Sequence, residues 1–270
     1  MPKSILITGA SDGIGRETAK AMVSAGHRVL LHGRNPKKLK AVEESFASLD
    51  GSTESYVADL SVLTEVDALA NAVAERHEQL DVLINNAGIL STSTPVLANE
   101  LDLRFVVNTL APVRLTNKLL PLLGPSARIL NLSSAAQSTV DLDALAGRAR
   151  LADFEAYAQS KLALTMWSRH LAQSLGDRGP VVIAVNPGSL LGTKMVKEAF
   201  GRAGKDIQIG ADILCRLSFD EEFNTASGQY FDNDAGRLGP PHPDALDPRK
   251  VREVVQQVEK ILAQLSQQHA

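Results

Sequence analysis

Short, unbroken apolar runs alternate with longer stretches of helical periodicity from Met1 to Val185. Ile5-Leu6-Ile7, Arg28-Val29-Leu30-Leu31, Glu54 to Ala58, Val82-Leu83-Ile84, Arg128 to Leu132 and Val181 to Val185 read as strands, with Gly228 to Phe231 as a seventh. Helical patterns fill the gaps at Ile14 to Ala25, Lys37 to Leu49, Leu63 to Arg76, Glu100 to Leu123 and Phe154 to Leu175, and a terminal helix follows at about 251–265. Gly26 and Gly176 stand where helices end, and Pro36 where one starts. Pro112 is expected to bend the long 100–123 pattern. Strands without polar alternation are covered on both faces. Strand and helix in turn therefore give an α/β chain with a doubly wound parallel sheet of about seven strands. No repeat, low-complexity tract or linker interrupts it, so residues 1–270 read as a single domain. The Gly- and Pro-rich stretch Gly236 to Pro248 reads as a surface loop.

Composition excludes several functions. Lys plus Arg number 28 against 31 Asp plus Glu, which disfavours a nucleic-acid partner. Cys215 is the one cysteine, so no intrachain disulfide forms, and it reads as buried filler. Six scattered histidines with no H-x-x-x-H pair give no metal site. No apolar run has the length of a membrane span, and the start lacks the pattern of a signal peptide. A cytoplasmic protein with no membrane partner is the expectation. A G-x-S-x-G elbow and a Walker-type phosphate loop are both lacking, which removes acyl hydrolases and nucleotide kinases.

The first strand runs straight into Thr8-Gly9-Ala10-Ser11-Asp12-Gly13-Ile14-Gly15. Glycine allows the sharp turn and the close approach of a ligand to the backbone. The helix that follows offers free N–H groups and a partial positive charge to a pyrophosphate. The spacing is G-x-x-x-G-x-G rather than G-x-G-x-x-G.

This turn resembles the cofactor motif of the short-chain dehydrogenase/reductase family, and further matches follow in the family's order. Asp59-Leu60 follows the third strand, Asn85-Asn86-Ala87-Gly88 the fourth, and Ser133-Ser134 the fifth. Asn108 lies in the long helical pattern, Tyr157 to Lys161 has the form YxxxK, and Asn186-Pro187-Gly188 with Thr193 follows the sixth strand. The resemblance implies a Rossmann-like fold and hydride exchange between a nicotinamide cofactor and a small alcohol or carbonyl substrate. It implies that Gly9, Ser11, Asp12, Gly13, Ile14, Gly15, Arg34, Asn35, Asp59, Leu60, Asn86, Ala87, Gly88, Tyr157, Lys161, Pro187, Gly188 and Thr193 hold the cofactor. Asp59 would take the adenine amino group, and Thr193 with Gly188 the nicotinamide carboxamide. A homo-oligomer, dimer or tetramer, paired through helices 100–123 and 154–175 is implied as well.

Tyr157 and Lys161 are four residues apart in a helix and share one face. A phenol is a poor base at neutral pH, and a neighbouring ammonium lowers its pKa. That spacing supplies a reason for a tyrosine acid–base group. By resemblance, Ser134 steadies the substrate oxygen, with Ser133 the alternative, and Asn108 holds a backbone carbonyl and a water in a proton relay through Lys161. The segment between Ser134 and Tyr157 is longer than the family's common pattern and resembles retinol-dehydrogenase-like members. The extra residues, about Val140 to Ala152, read as part of a substrate entrance or as a solvated loop.

The second strand ends in Gly33-Arg34 where a carboxylate would select NAD. A guanidinium there pairs with a 2′-phosphate, so NADP is expected, with NAD the alternative. Asp12 opposes this, because NADP-using members often carry a cation at that position. By resemblance, residues at about 189–210 shape the substrate pocket, with Met195, Val196 and Phe200 as pocket or core residues. Trp167 reads as core or subunit interface. The reading from another class is a non-catalytic dinucleotide-binding sensor on the same fold, which would have no need of Ser134, Tyr157 and Lys161 together.

Overall fold

A computed structural model of the protein describes residues 1–267, apart from the side chain of Phe200. Eight strands form one sheet in the order β3-β2-β1-β4-β5-β6-β7-β8. They are β1 (Ser4–Ile7), β2 (Arg28–Gly33), β3 (Ser52–Val57), β4 (Val82–Asn85), β5 (Arg128–Leu132), β6 (Val181–Asn186), β7 (Tyr230–Asp232) and β8 (Arg237–Gly239). All neighbours pair in parallel except β7 and β8, which are antiparallel. The helices are α1 (Gly13–Ser24), α2 (Pro36–Phe46), α3 (Leu63–Arg76), α4 (Leu103–Phe105), α5 (Ala111–Leu119), α6 (Leu142–Leu145), α7 (Asp153–Leu175), α8 (Lys194–Phe200), α9 (Gln208–Phe219) and α10 (Pro248–Gln267).

Side chains alternate across a strand, so each apolar run feeds two cores at once. Leu6, Leu30, Leu83, Ile129 and Val182 face the core built with α3, α5, α7 and α10. Ile5, Ile7, Val29, Leu31, Ile84 and Ile183 face the core built with α1, α2 and α9. The connections run outward in both directions from the β1–β4 pair. The crevice at the carboxyl ends of those two strands is where such sheets take their ligands.

The structure departs from expectation in four places. The seventh strand gains a partner, since part of the expected loop 236–248 forms β8, where Leu238 pairs with Phe231. The 100–123 pattern is broken into α4, a wide π-type turn at Val106–Leu110, α5 and a 3-10 turn at Leu120–Leu122. Pro112 has no N–H to donate to the carbonyl one turn back, so the regular ladder cannot run through it. Helix α9, unread in the sequence, packs Ala211, Ile213, Leu214 and Leu217 over α1. Cys215 beside them is half-buried, and burial pushes its thiol up to about 11.

The fourth departure is the 140–152 segment, which is a loop only in part: the short helix α6 within it packs Ala144 and Leu145 into the core, while its charged residues stay exposed. Asp141 caps α6 by accepting from the Asp143 and Ala144 amides. Leu145 is fully buried with α10 against it, and Gly147 turns at φ 76. Arg150 donates to the Glu100 carbonyl and pairs with its carboxylate. In α7 every residue from Ala156 to Ser168 is buried, and Trp167 is core. Subunit pairing through this helix would have to use its ends, because its middle is covered within the chain.

Candidate active site

A cleft of about 850 Å3 opens at the carboxyl ends of β1, β4, β5 and β6. One end is built around the glycine turn. Gly9 and Gly13 adopt φ of 68° and 60°, a region costly for other residues. A Cβ on Gly15 would fall 2.4 Å from the Asn86 amide nitrogen and 2.5 Å from the Gly9 carbonyl. Gly15 therefore serves close packing behind the turn and does not line the cleft. Asn86 stitches the β1 and β4 ends together, donating from its side chain to the Thr8 carbonyl at 2.8 Å. The Asn86 and Ala87 amides both donate to Thr8 Oγ1 at 3.0 Å.

Gly9, Ser11, Asp12, Gly13, Ile14, Arg34, Asn35, Asp59 and Leu60 line this end. Several of their side chains are already committed. Asp12 caps α1 by accepting from the Gly13 amide at 2.8 Å. Asn35 caps α2 by accepting from the Lys38 amide at 3.0 Å. Asp59 accepts from the Ser61 amide at 2.9 Å. Lys38 lines the same wall and lies 3.7 Å from the Asp12 carboxylate. It offsets the Asp12 charge, and Arg34 lines the same cleft. Sequence reasoning missed Lys38, although its place in the first turn of a helix opened by Pro36 was legible.

His32 was also missed. It is buried beneath the glycine turn, accepting from the Gly9 amide at 3.2 Å and facing the Ala58 carbonyl at 3.0 Å. Desolvation outweighs the Ala58 bond and lowers its pKa to about 4.

At the middle of the cleft stand Ser134, Tyr157 and Lys161. Helix α7 carries the last two one turn apart, and β5 delivers the serine pair. Ser133 is spent on α7: its hydroxyl meets Thr165 Oγ1 at 2.7 Å and the Lys161 carbonyl at 3.2 Å. Ser134 Oγ accepts from the Ala136 amide at 3.1 Å and hydrogen-bonds Tyr157. Two further side chains hold its backbone: Tyr230 Oη and Gln137 Nε2 donate to the Ser134 carbonyl at 3.0 and 2.8 Å. Neither has a local sequence signal.

Lys161 Nζ donates to the Leu132 carbonyl at 2.7 Å and lies 5.7 Å from the Tyr157 ring centre. Burial lowers the ammonium to about 8. Burial also raises the Tyr157 phenol, and the Ser134 hydrogen bond offsets only part of that. This differs from the expectation that Lys161 lowers the phenol, because desolvation is the larger influence here. A Cβ on Gly88 would stand 3.2 Å from Lys161 Nζ and 3.3 Å from Asn108 Oδ1. Asn108 itself is fully buried outside the cleft wall. It exchanges two 2.9 Å bonds with the Ile89 backbone and donates to Ser160 Oγ at 3.0 Å. The wide π-type turn presents it there.

The far wall comes from the segment after β6. Pro187, Gly188 (φ 123) and Thr193 line it, and Thr193 Oγ1 caps α8 by accepting from the Val196 amide. Leu190, Met195 and Val196 also line the cleft, as do Leu90, Val107 and Phe154. The expected pocket residue Phe200 has its side chain outside the described residues. Among the described residues no cluster of side chains suits a metal ion, and no helix is long and apolar enough to cross a membrane.

Comparison with known proteins agrees with the architecture. The family model for short chain dehydrogenases matches residues 3–203. Retinol dehydrogenase 13 of Homo sapiens is 30% identical over 271 residues, covering 93% of this chain and 81% of that protein. The structure of the oxidoreductase yciK from E. coli is 31% identical, with a TM-score of 0.68 over 86% of this chain and 94% of that one. The structure of the angucycline C-6 ketoreductase LanV with bound NADP is 28% identical, with the same TM-score over 86% of this chain and 93% of that one. The chain belongs to the short chain dehydrogenase family and is an NAD(P)-dependent oxidoreductase acting on CH–OH groups.

Proposed function

We propose that this chain interconverts a carbonyl compound and its alcohol with NADP(H), using Tyr157 as the acid–base group. The observation that carries the reading is the meeting of Ser134, Tyr157 and Lys161 in the same cleft as the glycine turn. The residues present fit a dinucleotide. A side chain at Gly9 would approach Ala87 Cα to 3.0 Å and one at Gly88 would crowd Lys161, so both must stay bare. Arg34 and Lys38 supply cations at the ribose end, and the LanV ketoreductase binds NADP.

When bound, the nicotinamide supplies or accepts the hydride at the substrate carbon. In the reductive direction Tyr157 Oη gives its proton to the carbonyl oxygen. The raised phenol pKa keeps that proton in place until negative charge develops on the oxygen. Ser134 Oγ accepts from Ala136 and bonds Tyr157, so the two hydroxyls stand together where the substrate oxygen would be steadied. Lys161, near 8, is predominantly cationic at neutral pH and would hold the sugar hydroxyls of the dinucleotide. Asn108 is a positioning residue: it fixes the Ile89 carbonyl, which would hold a water in a proton relay through Lys161.

A panel of carbonyl compounds followed at the reduced-nicotinamide absorbance tests the reading. Wild type turns over, and Tyr157→Phe loses roughly 10²- to 10⁴-fold in kcat with NADPH affinity unchanged. Near-wild-type turnover in that variant defeats the assignment. Tight NADPH binding with a silent panel favours the sensor instead. Cytoplasmic residence belongs to the same reading. A dimer or tetramer would have to use a surface other than the buried middle of α7, and sedimentation velocity tests it.

A further inference from the structure

We propose that Asp234, in the turn between β7 and β8, is the positioning residue that fixes residues 187–209 as the far wall of the cleft. The proposal rests on reading that cleft as a dinucleotide and carbonyl site.

The wall leaves the sheet at the end of β6 and returns at α9, with only α8 between. Its two arms pair with each other: Lys205 N donates to the Leu190 carbonyl and Gly192 N to the Lys205 carbonyl, both at 2.7 Å. Leu190 is held at φ 56, a strained region for a leucine, which persists only when surroundings enforce it. The Lys205 amide holds the Leu190 carbonyl, and one carboxylate holds the residue before it. On the outgoing arm, Ser189 N donates to both Asp234 oxygens at 2.9 and 3.1 Å, and the Ser189 hydroxyl donates to it as well. Asn186 Nδ2 donates to Asp234 and Asp232, both at 2.9 Å. On the returning arm, Lys205 Nζ lies 3.8 Å from Asp234. Asn233 repeats the pattern, donating from Nδ2 to the Pro187 carbonyl at 2.9 Å and the Ile209 carbonyl at 3.2 Å.

One hairpin turn thus grips both arms of the wall. Charge-assisted bonds to an anion are the stronger kind. Burial is the largest single influence and would raise the Asp234 carboxyl, but the Ser189 donors, Asn186 and Lys205 together hold the group below its ordinary value. Strand β8 gains a purpose: it closes the turn that presents Asp234 to the wall. Displacing the wall displaces Gly188 and Thr193, so cofactor affinity registers the loss.

Hydrogen exchange by mass spectrometry on the full chain tests this, together with an NADPH titration. In Asp234→Ala, exchange across residues 189–206 rises about tenfold or more while β1, β4 and β5 stay protected. The NADPH Kd rises by about the same factor. Asp234→Asn keeps an acceptor for Ser189, loses the Lys205 partner, and falls between. Unchanged exchange in 189–206, or a loosened wall with wild-type NADPH affinity, overturns the proposal. If Asp234→Ala does not fold, the same two readouts on Asp234→Asn decide it. Exchange needs no turnover, so a silent carbonyl panel sinks the catalytic reading without touching this result.

Discussion

The Nδ1 atom of His32 accepts the Gly9 amide at 3.2 Å, so the ring proton sits on Nε2 and is donated to Ala58. A neutral imidazole thus joins the glycine turn to the end of β3 from below. The folded-state pKa is about 4, against an ordinary value of 6.5. Above pH 6.5 both folded and unfolded chains hold the ring neutral, and its contribution is fully present. As pH falls from 6.5 to about 4, the unfolded chain takes a proton that the folded chain refuses. Stability falls over that window by about 3 kcal/mol. Urea unfolding at pH 7 and pH 4.5 measures it, and His32→Gln flattens the dependence.

On the proposed reading, Asp12 and Lys38 are expected to act on cofactor choice in opposite senses. Lys38→Ala leaves the Asp12 carboxylate unopposed beside the site of the 2′-phosphate. The preference for NADPH over NADH falls about tenfold, and further when Arg34→Ala is added. Asp12→Asn keeps a good helix cap and removes the charge, so it shifts the preference the other way. Fluorescence titration with both dinucleotides reads all three.

Lys161 sets an alkaline limit on cofactor capture. Its ammonium is present below about pH 8 and lost above it. The ratio kcat/KM for NADPH reports groups of the free enzyme, so it declines as pH rises through about 8. Lys161→Met is low throughout and lacks that decline. A wild-type profile flat to pH 10 would exclude Lys161 from this role.

Arg104 braces the helix that carries Tyr157. It is 1% exposed and forks onto Asp102 at 2.8 and 2.6 Å, with a third bond to Asp153 at the start of α7. Arg104→Met leaves the buried Asp102 carboxylate without its cation. The cost is about 3–5 kcal/mol, read as a lowered urea midpoint.

Much of the fold was legible because its cause is local. A run such as Val82-Leu83-Ile84 has no polar alternation, so it had to be covered on both faces. The break in the 100–123 pattern was half legible. Pro112 announced a bend, but the wide turn before it depends on Asn108 reaching the Ile89 backbone, 19 residues away. Segment 140–152 was half legible: its charges do face solvent. Leu145 and Ala144 between those charges are buried against α10, far along the chain.

Order along the chain was enough for the parallel sheet, the glycine turn, the Tyr157–Lys161 spacing and the family. Each follows from residues within a few positions of one another, where periodicity and backbone freedom act. Which serine faces the cleft, what offsets Asp12, how Asn108 spends its amide and what anchors the far wall were decided by packing. Those depend on side chains that meet only after the sheet has formed. Hydrogen-bond partners of that kind leave no spacing to read, because the groups that satisfy a buried polar atom come from whichever element the fold brings within 3 Å or so of it.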